Sequence, residues 1–125
     1  MALTRDKIPY NPMVNAGAIM TCSLVGRDSD PADRFDSVMN WWKRLAGGFK
    51  PGFDNSVYLS ERLTADRNFS LAYMMKAAGA FPEGTDLVST LEFYFQCCSI
   101  EMNCESMAIV AGTLANGGVC PVTGE

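Results

Sequence analysis

Apolar residues recur at three- and four-residue steps along most of the chain, the spacing of helices that bury one face. Asn11 followed by Pro12 is a helix start, and the small, apolar run Met13 to Leu24 continues it toward Gly26. Asp30-Pro31 repeats that start signal. Behind it Phe35, Val38, Met39, Trp42 and Leu45 form one stripe, which Gly47-Gly48 stops. Residues 49–54 read as a loop, and a short helix is predicted over Ser56 to Leu63. Thr64 with Asp66-Arg67 opens another helix, running to Ala78 before Gly79. Pro82-Glu-Gly84 is a turn, after which Thr85 or Asp86 caps a helix whose Leu87, Leu91, Tyr94, Phe95 and Cys98 share a face. Asn103 caps a last helix through Met107, Val110, Ala111 and Leu114, ending at Gly117-Gly118. No stretch alternates well enough to predict a strand. The expected fold is a mainly α, single helical unit.

Composition supports a folded domain, with 125 residues that are 48% hydrophobic and 19% charged. The net charge of −4 and the scattered basic residues argue against a nucleic-acid partner. Every apolar stretch is broken well short of the roughly 18 residues that a membrane span needs, so no membrane partner is expected. Residues 1–9 have neither a signal-peptide core nor transit-peptide character. The five cysteines, Cys22, Cys97, Cys98, Cys104 and Cys120, are odd in number. They lack the paired spacing of a metal site and read as small buried residues in a reducing compartment.

The chain contains no histidine. That removes Ser-His-Asp triads, Cys-His pairs and His-rich zinc sites together, leaving carboxylate, amide, phenol, lysine and hydroxyl groups for any chemistry. Several polar residues sit inside apolar surroundings: Asn15, Glu61, Asn68 and Tyr94. From the residues alone, Glu61 is a solvated carboxylate or a partner one turn along its helix. Asn15 is an amide bonded to backbone, Asn68 satisfies a helix N-terminus, and Tyr94 fills the core. Trp41-Trp42 reads as core or subunit interface.

The runs that hold these residues carry a resemblance. Asn11-Pro-Met-Val-Asn-Ala-Gly-Ala-Ile19, Ser60-Glu-Arg62 with Asp66-Arg-Asn-Phe69, and Phe81-Pro-Glu-Gly-Thr-Asp86 are three of them. Phe93-Tyr-Phe-Gln96, Cys98-Ser-Ile-Glu101 and Thr113-Leu-Ala-Asn-Gly-Gly118 complete the set, in order and almost throughout from Pro9. Together they resemble the serine-dependent glutaminase family, and the animal members more than the bacterial ones.

The resemblance implies a β-lactamase-like α/β fold, of which this chain would be the helical subdomain with most of the sheet missing. It implies hydrolysis of L-glutamine to L-glutamate and ammonia, without a cofactor. Glu61 would receive the substrate ammonium, Asn15 and Asn68 would bind substrate, and the Tyr94 hydroxyl would bind substrate or relay a proton. A homotetramer and a mitochondrial location, with the cytoplasm as alternative, are further implications.

The family's nucleophile is a serine activated by a lysine three residues on, and none of the nine serines here has one. Residues 1–125 are therefore expected to be the central part of a catalytic domain whose dyad lies outside it. The alternative is a non-catalytic helical interaction module built on the same fold. A penicillin-interacting relative is disfavoured because no Lys-Thr-Gly accompanies Ser60-Glu61.

Overall fold

Acidic and amide side chains decide where most of the helices begin. In the computed structural model, which describes residues 3–125, Asp30 accepts hydrogen bonds from the backbone amides of Ala32 and Asp33 and opens α1's successor, α2 (Pro31–Leu45); α1 itself is Asn15–Leu24. Asp54 does the same for α3 (Asn55–Leu63), Asp86 for α5 (Leu87–Cys98) and Asn103 for α6 (Cys104–Ala115). Each cap takes up amide groups that have no partner inside the helix. Gly47, Gly79, Gly84 and Gly117, all at positive φ, turn the chain where the pattern stops.

Two start signals work differently from the expectation. The helix predicted from Pro12 begins at Asn15, because residues 11–14 form a turn of their own. There the Asn11 side chain accepts from the Met13 amide at 2.8 Å. That turn lies hard against α1. A Cβ on Gly17 would fall 1.9 Å from the Asn11 carbonyl oxygen, so only glycine permits the approach. Thr64 does not open α4 (Asp66–Ala77). Its hydroxyl donates back to the Ser60 carbonyl at 2.9 Å and closes α3, and α4 has no side-chain cap.

A strand pair that the sequence reading did not contain joins the 49–54 segment to the end of α5. β1 (Gly52–Phe53) pairs antiparallel with β2 (Ile100–Glu101), Gly52 opposite Glu101 and Phe53 opposite Ile100. Two residues are too few to show alternation; the pairing exists because the tertiary fold brings two turns together.

The core is built around α5, which packs on α1, α2, α3 and α4. Leu87, Leu91, Phe93, Tyr94 and Phe95 are all buried, together with Ala16, Ile19, Ala72 and Met75 from α1 and α4. Cys98, predicted on the same face, is instead exposed at the last position of the helix. Cys104 is exposed too, while Cys22 and Cys120 are buried and Cys97 is half-buried, so the expectation of five buried thiols is corrected for two of them. In α6 the buried residues are Ser106, Val110 and Thr113, not Met107 and Leu114. The helix is turned by the Thr113 hydroxyl, which donates to the Leu45 carbonyl of α2 at 2.9 Å.

The α2 stripe is only half-buried, and the one fully buried residue of that helix is Arg34. Its guanidinium donates to the Val25 carbonyl at 2.7 Å and to the Cys22 carbonyl, and lies 3.9 Å over the Phe93 ring. These contacts replace the hydration that burial removes, and they bolt the C-terminal end of α1 to α2 and α5. Trp42 is half-buried on the stripe, whereas Trp41 is exposed beneath the Arg44 guanidinium.

Candidate functional site

Asn15 is the first residue of α1 and Asn68 lies in the first turn of α4. They are 53 residues apart in sequence, yet Asn15 Nδ2 donates to Asn68 Oδ1 at 3.0 Å. Neither does what local sequence suggested. Among the described residues the Asn15 side chain bonds no backbone group, and the almost fully buried Asn68 does not cap its own helix. The pair ties two helix N-termini together. The Asn68 Nδ2 group takes no acceptor among the described residues, and no buried polar side-chain atom there is left unsatisfied, so these donors reach solvent. An exposed Asn15 beside a buried Asn68 presents amide donors at two convergent helix ends. That arrangement suits a small carboxylate.

Glu61 lies in the last turn of α3 and is half-buried. No cation is within ion-pair distance of it among the described residues, and the next residue, Arg62, pairs with Glu92, its Nε donating to Oε1 at 2.9 Å. A carboxylate without a cation of its own remains available to one supplied by a ligand.

Tyr94 is buried in the centre of α5, with its ring edge against Phe95 at 5.8 Å. Burial raises its phenol well above the usual tyrosine range, and the Cys98 thiol one turn on, the Glu61 carboxylate and the Cys22 thiol push the same way. The phenol thus keeps its proton, with the Cys98 thiol and the Glu61 carboxylate both disfavouring its anion.

Of the four residues, Asn15 and Asn68 meet directly, while Glu61 is near enough to Tyr94 to act on its phenol electrostatically. Tyr94 packs in the same core cluster as Ala16, next to Asn15, and Ala65, at the head of α4. Cavities of about 300 Å³, beside Arg27, Asp86 and Ser89, and of about 250 Å³, beside Pro31, Glu92 and Gln96, lie elsewhere on α5, and none of the four lines them. Sequence reasoning missed Glu92 and Tyr58, whose hydroxyl donates to Glu92 Oε2. A turn-spaced Tyr58 and Arg62 was the one available signal; their common partner lies 30 residues away or more and has none.

A family model described as Glutaminase matches residues 1–125, the whole chain. The liver isoform of rat glutaminase, a mitochondrial protein by name, is 46% identical over 125 residues, all of this chain and 21% of the relative. A glutaminase of Clostridium tetani is 43% identical over 117 residues, 94% of this chain and 37% of its own. The crystal structure of a probable glutaminase from Bacillus subtilis superposes with a TM-score of 0.82 at 31% identity, over 94% of this chain and 36% of that one. The chain thus spans about a fifth of the rat relative and little more than a third of the bacterial ones. Within that span it has their fold, and the six helices and short strand pair among the described residues form the helical part of an α/β architecture. With its whole length matched and its path superposed on a solved relative, the chain belongs to the glutaminase family.

Proposed function

We propose that residues 1–125 form part of a glutaminase catalytic domain and hold L-glutamine while it is hydrolysed to L-glutamate and ammonia. The observation that carries this reading is Glu61: a half-buried carboxylate with no cationic partner among the described residues, beside a protonated tyrosine. An α-ammonium group would complete the pair. The amide donors of Asn15 and Asn68 suit the α-carboxylate of the same ligand. The side-chain amide then extends toward the Tyr94 hydroxyl.

Tyr94 supports the chemistry as a neutral donor. Its raised pKa keeps the proton on oxygen at neutral pH, where it can bond the substrate or pass a proton along a relay. Attack on the amide carbon calls for a serine with a lysine one helical turn on, which none of the serines among the 125 residues has. The dyad would come from another part of the enzyme. No cofactor enters this scheme. The name of the rat relative supports a mitochondrial location, with the cytoplasm as the alternative, and a homotetramer is the expected assembly.

The test is Glu61→Gln in the full-length enzyme. The substitution keeps the shape and removes the charge, so kcat/KM for glutamine should fall about tenfold or more while the circular dichroism spectrum stays the same. An unchanged kcat/KM would remove Glu61 from the site.

A further inference from the structure

α3 is unusual among the helices in having no fully buried residue. Its apolar hold on the core is the half-buried Tyr58, which alone is a weak brake on rotation about the helix axis. Polar contacts take over that task. Tyr58 and Arg62 stand one turn apart on α3, and both reach a single carboxylate on α5: the Tyr58 hydroxyl donates to Glu92 Oε2, and Arg62 Nε donates to Glu92 Oε1 at 2.9 Å. Tyr58 is also packed at the edge of the core, its ring 6.1 Å from Phe53. Using both oxygens of one carboxylate defines an angle as well as a distance.

Glu61 precedes Arg62 by one residue, about 100° around the helix. Any rotation of α3 that loosened the Glu92 contacts would therefore swing Glu61 as well.

We propose that Glu92 is a positioning residue for Glu61: by gripping Tyr58 and Arg62 it fixes the rotation of α3 and with it the direction in which the Glu61 carboxylate points. This rests on the reading of Glu61 as the ammonium-binding group. Glu92 itself touches no substrate. Its effect belongs to ground-state binding, so it should appear in KM and not in kcat.

The experiment is a double-mutant cycle in the full-length enzyme, with glutamine as substrate and Glu92→Gln, Glu61→Gln and the double variant compared with wild type. Glu92→Gln is expected to raise KM about fivefold with kcat within about twofold. In the Glu61→Gln background it should change KM no further, because there is no charge left to position. Equal KM increases in both backgrounds would mean general loosening and overturn the proposal, as would an unchanged KM for Glu92→Gln alone. A Glu61→Gln enzyme with wild-type KM and kcat would overturn the substrate reading itself, a different outcome. Should Glu92→Gln fold poorly, Tyr58→Phe removes one of the two hydrogen bonds within the same packing and should raise KM by about twofold; no change would again count against the proposal.

Discussion

Tyr94 has a place in the core and, as proposed, a chemical role in addition. Its ring is part of the core, and burial with the nearby Glu61 carboxylate disfavours ionisation of its hydroxyl. Tyr94→Phe in the full-length enzyme separates the two. Turnover should fall about 100-fold, the scale of a lost acid–base group, while stability changes by about 1 kcal/mol or less. Phe93→Leu and Phe95→Leu are the controls, since both rings are buried and should cost stability before rate. Near-normal turnover in Tyr94→Phe would return the residue to packing alone. Alkali supplies a second check. The folded phenol ionises above its unfolded value of about 10, so the stability it confers is complete below that pH and drains away as pH rises past it. Melting temperatures of wild type and Tyr94→Phe should therefore converge or cross between about pH 10 and 12, the wild type falling faster. Tyr58, whose phenol is also raised by its bond to Glu92, contributes equally to both proteins and cancels. Parallel curves would contradict the buried environment of Tyr94.

At the level of elements, the caps and one glycine carry the sharpest expectations. Asp54 and Asp86 make the same pair of bonds to their helices, yet α3 buries nothing fully and α5 buries six residues. Removing either cap as Asp→Ala should cost about 1 kcal/mol. With Asp54→Ala the loss should be local, seen as faster hydrogen exchange confined to α3, because that helix can open without the core. With Asp86→Ala it should lower the global melting temperature. Uniform exchange changes in both variants would argue against a separately loosened α3. Gly17→Ala places a methyl where the Asn11 backbone already sits, and backbone cannot rotate aside. A destabilisation of about 1–3 kcal/mol is expected from thermal unfolding, with α1 and the 11–14 turn pushed apart. A neutral result would mean that the turn does not lie against α1.

At the scale of the whole chain, apolar surface remains uncovered on several sides. Leu63 of α3 is 85% exposed and Leu114 of α6 is 65% exposed, and Tyr73 and Met74 of α4 are open as well. Patches of this kind mark surfaces suited to contact with further structure. The 125-residue chain on its own is expected to bind a hydrophobic dye and to unfold over a broad range, and to release no ammonia from glutamine, since it has no serine–lysine step. A sharp two-state transition without dye binding, or measurable ammonia release, would contradict the proposal that these residues work as part of a larger catalytic domain.

What the sequence alone determined was mostly local. Asp30-Pro31, Asp86 and Asn103 were readable as helix starts because a cap acts on amides two or three residues ahead, and Gly47, Gly79 and Gly117 as stops because positive φ suits glycine. The family was readable too, since six short runs in order carry it. Asn15, Glu61, Asn68 and Tyr94 could be named only through that resemblance. Their spacing points to nothing, as each is set on a different helix. The tertiary structure decided which side chains meet: Asn15 with Asn68, Tyr58 and Arg62 with Glu92, and Arg34 with the end of α1. It also decided that Thr64 closes a helix, that two residues near 52 pair with two near 100, and that α6 turns Val110 and Thr113 inward. Periodicity marks that a helix has a buried face. Which face is buried, and what a polar residue on it bonds, depends on neighbours 30 to 70 residues away, and these are brought together only when the chain folds.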